Sequence, residues 1–253
     1  MTDVHFEVID GVAVLALARP ERANALRRAT IAEFDETLAR IEEDLDSRES
    51  VRGVMITGQG PRFSAGADVD ELSGTVDDVG FDDDLEALTG RIARLSVPVV
   101  AAVEGACFGA AIDLAWACDL VVVSRTARLG LPATRLGILY NPVSMGRLHA
   151  RLGSVILRRL TVVGEELDGA AVGSAGAARV VEPGAAREVA LDLLSRASGV
   201  PNAVAATKAL LATLDAEDFD PTDWQPTRHE LLAAEERSVA LKSSRESLGK
   251  NQA

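Results

Sequence analysis

The sequence predicts an α/β fold with an all-helical C-terminal region, on three observations. Short β-rich apolar runs alternate with stretches whose apolar residues recur every three or four positions. In the last quarter the strand signals stop, and only helical patterns punctuated by Pro201, Pro221 and Pro226 remain. The 253 residues, 47% hydrophobic, suffice to bury one large core and carry a smaller appendage. The division this implies is 1–195 and 196–253.

In chain order, VHFEVIDGVAVLALA (4–18) holds two apolar runs around Asp10-Gly11, a pair that tolerates the positive φ angles of a tight hairpin. From Ala29 to Leu45, Ile31, Phe34, Leu38, Ile41 and Leu45 form the stripe of an amphipathic helix. Gly53 to Thr57 is a buried strand. The acidic stretch DDVGFDDDLE (77–86) reads as a solvated loop leading into a helix marked by Leu85, Leu88, Ile92 and Leu95, because it lacks the spacing of a calcium loop. VPVVAAVEG (97–105) is a strand feeding a turn, GAAIDLAWAC (109–118) an almost wholly apolar helix, and 119–131 returns to strand. Helices are expected around 144–160, 184–199, 201–215 and 228–245, with Pro183 a further breaker.

Composition removes several function classes. With 39 acidic against 26 basic residues, the net charge of -13 repels nucleic acid and anionic membranes. The start has neither the basic nor the apolar segment of a signal peptide, and no apolar run is long enough to span a bilayer, so a cytoplasmic protein is expected. Cys107 and Cys118 are too few for a disulfide framework, and no zinc or other metal site is expected. No GxGxxG follows the first strand and no GxxxxGK[ST] occurs, which weakens the dinucleotide and P-loop readings.

Two turns of small residues stand out. In FSAGADVDEL (63–72), Ser64, Ala65, Gly66 and Ala67 let a ligand approach the main chain, although this motif alone reads more simply as Asp68 capping a helix while the alanines pack under a neighbour. In EGACFGAAIDLAWACDL (104–120), a strand ends and a helix begins near Gly109-Ala110-Ala111, again with bare amides. If the turns face one another, the N–H groups of Ala67 and Ala110 converge on one oxygen and form an oxyanion hole.

These two stretches resemble the FxAGADxxE and GxxxGGGxELAxxCDxxxA signatures of the crotonase, or enoyl-CoA hydratase/isomerase, superfamily. RPERANAL (19–26), RLGLPATRLGI (128–138) and the helical tail follow in that family's order. The resemblance implies a spiral of ββα turns with a helical C-terminal trimerisation region, giving homotrimers or dimers of trimers. It also implies acyl-CoA thioesters as substrates, with no cofactor beyond the CoA the substrate carries. By the same resemblance, Ala67 and Ala110 become the oxyanion donors. Gly66 and Gly109 shape the two turns, and Ala65 lies beside the adenine and pantetheine arm. Arg22 and Ala23 meet the phosphates or adenine, unless Arg22 is only a solvated surface residue. Asp68 belongs to the same binding turn.

The chain also departs from that pattern. The hydratase's two glutamates are replaced by Asp113 and Ala133, and alanine carries no proton. Tyr140 and Asn141, in LGILYNPVS, resemble the tyrosine and asparagine of the methylmalonyl-CoA decarboxylase branch. A neutral phenol there would orient a substrate carboxylate, and Asn141 would bond it or simply turn the chain before Pro142. Asp113 is either a lone acid/base or a first-turn dipole partner. His5, His149 and His229 lie in other segments. The family's usual C-terminal tail is absent, leaving Lys242 and Lys250 as candidate phosphate contacts. The expectation is therefore enolate chemistry, as malonyl-type decarboxylation or enoyl isomerisation rather than hydration. The alternatives are hydration through Asp113 alone and a non-catalytic acyl-CoA-binding homologue.

Overall fold

A computed structural model describes residues 2–46, 51–197, 200–216 and 218–250. Internal contacts divide the chain into Met1–Ala197 and Ser198–Ala253. In the first unit, strands β1 (Val4–Ile9) and β2 (Val12–Leu17) pair as an antiparallel hairpin. Asp10 and Gly11 turn it at φ 48° and 76°, as the Asp-Gly pair predicts. Helix α1 (Arg28–Asp46) follows and buries Ile31, Phe34, Leu38 and Ile41, each contributing about 1.5–3 kcal/mol of apolar burial. β3 (Gly53–Gly58) then pairs in parallel with β2.

Helix α2 (Val79–Arg94) begins earlier than the acidic stretch suggests. Asp82, Asp83 and Asp84 are helical residues of its first turns rather than loop residues, and Asp82 is half-buried. The correction has a physical cause: Phe81 and Leu85 are core residues, and burying them draws the intervening acids into the helix.

From here the chain steps between two sheets. β4 (Val99–Val103) joins the large sheet, β5 (Ala106–Phe108) the small one, and α3 (Ala110–Trp116) closes the turn. β6 (Leu120–Ser124) and β7 (Arg128–Gly130) repeat the step, which is the expected ββα spiral. α4 (Pro142–Thr161) is kinked at Gly153, whose φ of 73° falls outside any helix. β8 (Leu167–Asp168), α5 (Gly169–Ser174) and β9 (Arg179–Val181) are too short to leave a periodic signal and were not expected, while α6 (Ala186–Ser195) was. The large sheet has the order β1-β2-β3-β4-β6-β9, the small one β5-β7-β8. β2, β3 and β4 are buried almost throughout, as central parallel strands covered on both faces should be.

The second unit holds α7 (Pro201–Asp215), α8 (Gln225–Ala233) and α9 (Glu235–Lys250). The single helix expected over 228–245 is two, broken where Ala234 adopts extended φ/ψ of −64° and 141°. The break folds α8 and α9 around a cavity of about 540 Å³ shared with α7, lined by Leu210, Trp224, Leu231 and Leu241 among others. The last two positions of the 184–199 segment and the side chain of Lys250 lie outside the described residues. Among the described residues, no helix is long and apolar enough to cross a membrane.

Candidate active site

The two small-residue turns are bonded to each other. Ser64 donates its N–H to Ala106 O at 2.9 Å, and Phe108 N–H returns a bond to Ser64 O at 3.1 Å. Buried Ser64 also braces the turn through its hydroxyl, which donates to Asn24 O at 2.7 Å and accepts from Gly66 N at 3.1 Å. Gly66 has φ 90°, and a Cβ placed on it would fall 2.4 Å from Phe108 O and 3.3 Å from Ala110 N. Only glycine permits that approach.

Counting donors isolates two amides. On the first turn, Ala65 N–H bonds Ala23 O, Gly66 N–H bonds Ser64 Oγ and Asp68 N–H bonds Leu26 O. Ala67 N–H, between them, faces no acceptor among the described residues. On the second turn, Phe108 N–H bonds Ser64 O and Gly109 N–H bonds Gly130 O. Ala110 is the first residue of α3, where an amide has no intrahelical partner. Ala67 and Ala110 thus both carry amides without a backbone acceptor on adjoining turns.

Asp68 caps the short 3-10 turn Val69–Glu71 and is turned inward, 2.9 Å from Arg19 Nη1 and 3.5 Å from Arg22 Nη2. Burial alone would raise its carboxyl, but the Arg19 guanidinium and the Asp70 amide outweigh that and hold it below the usual range. Arg22, half-exposed, pairs with Asp70 as well as Asp68. Ala23 takes a left-handed φ of 51° and lies directly against Ala65 through the bond above. His5, His149 and His229 are all exposed.

The polar end of the site forms where α2, α3 and α4 meet. Asp113 is fully buried, and both carboxylate oxygens are engaged: Oδ2 accepts from Ser144 Oγ at 2.5 Å and Oδ1 from Arg147 Nη2 at 2.8 Å. Arg147 also donates to Thr89 Oγ1 at 2.6 Å. Ala133 is buried in the 3-10 turn Ala133–Leu136 and offers only a methyl group. Asn141 caps α4, its Oδ1 accepting from Val143 N at 2.9 Å, so the chain-turning reading describes its oxygen.

The Tyr140 hydroxyl is buried near Asp113 without a partner in good hydrogen-bond geometry, and Arg147 Nε is likewise unsatisfied. Burial first, and then the charges of Asp113 and Asp82, raise the phenol well above its ordinary value, Arg147 offsetting part of this. Burial likewise raises the Asp82 carboxyl, the charges of Asp113 and Asp83 adding to the shift and the neighbouring Asn141 side chain subtracting.

A family model described as enoyl-CoA hydratase/isomerase matches residues 7–227. The chain belongs to the enoyl-CoA hydratase/isomerase family. It is therefore an enzyme acting on acyl-CoA thioesters. It is 32% identical over 202 residues to the 2,3-dehydroadipyl-CoA hydratase of Escherichia coli, covering 79% of this chain and 78% of that protein. It is 31% identical over 201 residues to the probable enoyl-CoA hydratase echA8 of Mycobacterium leprae, covering 78% and 74%. The crystal structure of an enoyl-CoA hydratase from Bacillus anthracis superposes with a TM-score of 0.86 at 25% identity, over 97% of this chain and 96% of that one.

Sequence reasoning named Ala67, Ala110, Asp113 and Tyr140 but missed Asp82, Thr89, Ser144 and Arg147. Arg147 lies six residues beyond Asn141, on a helix whose start Asn141 and Pro142 announce, and could have been flagged as the partner a buried Asp113 requires. Asp82 was hidden in an acidic run that reads as solvated surface.

Proposed function

We propose that this enzyme holds a thioester carbonyl at the Ala67 and Ala110 amides as an enolate and shifts the double bond of an enoyl-CoA, rather than adding water to it. The observation that carries this reading is the state of the two positions a hydratase needs. Asp113 is committed to Ser144 and Arg147, and Ala133 has nothing to ionise. Hydration asks for two carboxylates on one water, whereas a double-bond shift needs only one group to carry a proton. Each well-aimed amide would contribute about 3 kcal/mol toward the enolate-like transition state.

Charge separates isomerisation from decarboxylation. Arg147 pairs with Asp113, and no lysine or arginine among the described residues pairs with Asp82, so an acyl group bearing its own carboxylate meets net negative charge. A like charge about 4 Å away costs on the order of 4 kcal/mol near a protein surface. Decarboxylation of a malonyl-type thioester remains the second reading, favoured by the partnerless Tyr140 hydroxyl, which could donate to such a carboxylate.

Assaying a 3-enoyl-CoA, crotonyl-CoA and methylmalonyl-CoA side by side tests this. The expected order places isomerisation first. Crotonyl-CoA hydration as the fastest reaction, lost in Asp113→Asn, overturns it, and CoA binding with no turnover makes the protein a non-catalytic binder. A homotrimeric assembly fits the same reading, because α7 and α8 bury no residue and leave Leu211, Leu214 and Leu232 exposed. Light scattering on the purified protein measures it.

A further inference from the structure

The enzyme's reaction requires a proton carrier, and neither of the positions that resemble the family's glutamates supplies one. Asp82 occupies a different element. It lies seven residues before Thr89 on α2, two helical turns and about 10 Å along the axis on the same face. Thr89 is fixed to Arg147 and through it to Asp113, so that face of α2 looks into the site. At the Asp82 level it meets the start of α4, with the Asn141 side chain beside the carboxyl and the Tyr140 hydroxyl buried nearby.

What distinguishes Asp82 from Asp113 is the lack of a cation. Among the described residues no lysine or arginine pairs with Asp82, whereas its neighbour Asp84 is taken by Arg28 at 3.1 Å. Half-buried beside an ion pair that is already balanced, and unlike the exposed Asp83, it is a sheltered carboxyl able to change its proton without breaking a salt bridge among the described residues.

Resting on the isomerase reading above, we propose that Asp82 is the catalytic acid/base, working beside the Tyr140 hydroxyl in place of the glutamates this chain lacks. Ionised Asp82 takes a proton from C2 of a 3-enoyl thioester. The C–H electron pair moves to the thioester oxygen, forming a dienolate at the Ala67 and Ala110 amides. Protonated Asp82 then returns the proton to C4 while the electrons flow back, so that the C3–C4 double bond becomes C2–C3. Proton and electrons balance, and Asp82 ends as it began. The groups facing it are Asp83 on its own helix, Asp113 on α3, and Tyr140 and Asn141 at the start of α4, while Arg147 faces Tyr140 and pairs with Asp113. Raised by burial first and then by the charges of Asp113 and Asp83, Asp82 is a stronger base than an ordinary aspartate.

The test compares wild type, Asp82→Asn and Asp82→Glu for isomerisation of a 3-enoyl-CoA and for exchange of C2 protons in deuterated water. Asp82→Asn should lose about 10²-fold or more in kcat and in exchange, with KM little changed, and Asp82→Glu should recover part of both. The acid limb of kcat/KM should lie above the ordinary aspartate range and vanish in Asp82→Asn. Calorimetric binding of CoA that is unchanged in Asp82→Asn excludes a collapsed site. An active wild type matched by Asp82→Asn to within about tenfold overturns the role of Asp82 and leaves the isomerase reading standing. A wild type that neither isomerises nor exchanges overturns both.

Discussion

At one end of the polar cluster, Arg147 is held by Asp113, Ser144 and Thr89, and Asp113 has a donor on each oxygen. At the other, two turns away along α2, Asp82 has no cation among the described residues and the Tyr140 hydroxyl has no partner in good hydrogen-bond geometry among them. Both ends involve α2 and the start of α4, and each carries a carboxylate beside a hydroxyl. The difference teaches how one site can be both rigid and reactive. At the saturated end a donor on each Asp113 oxygen offsets the cost of burying that charge, with Arg147 Nε left over, and the open end leaves polar atoms to be satisfied by a substrate.

The largest effect should come from breaking the saturated end. Asp113→Ala strands Arg147, which is mostly buried, and should cost about 3–5 kcal/mol of stability by denaturant unfolding. A loss below about 1 kcal/mol, the value of an exposed pair, would show that the end is not saturated in solution. Next, Gly66→Ala leaves both ends untouched and pushes the two turns apart, since its Cβ meets Phe108 O. An expected drop of about 10²-fold in kcat, with the Asp113 end intact, follows from misplacing the amides by about 1 Å. Retained activity would mean the Ala67 and Ala110 amides do not act on the reacting carbonyl.

The same contrast explains what was legible in the sequence. The hairpin at Asp10-Gly11, the stripe of α1 and the buried central strands announce themselves through local chemistry and periodicity. So do the two turns, because Gly66 stands at a positive φ and a run of small residues marks each of them. β5, β8 and β9, at two or three residues, are defined by their neighbours in the sheet and have no period of their own. The helix break at Ala234 likewise comes from packing in the second unit. In the site, Asp113 and Tyr140 were visible by their order along the chain, but their partners were not. Whether an aspartate in DDVGFDDDLE is solvent-facing depends on which face of α2 is buried, and that is settled by Phe81, Leu85 and Leu88 meeting the core.

Smaller effects probe the open end. Tyr140→Phe removes a buried hydroxyl that lacks a partner in good hydrogen-bond geometry, so stability should stay level or rise by about 1 kcal/mol. A clear loss would reveal a partner and close that end too.

The smallest and most specific effect is the pH dependence of Asp82→Asn. Folding raises this carboxyl above its unfolded value of about 3.9, mainly by burial. The folded state therefore binds the proton more tightly, and the stability this supplies is complete below the unfolded pKa and lost as pH rises through the folded one. Asparagine has no such transition. The melting temperature of Asp82→Asn minus that of wild type should thus increase as pH climbs from about 4 and level off once wild-type Asp82 is ionised. Asp113→Ala should be less stable than wild type at neutral pH, the opposite sign, because there the charge is paired. If Asp82→Asn falls below wild type at neutral pH, Asp82 has a cation after all, and the two ends of the cluster are built alike.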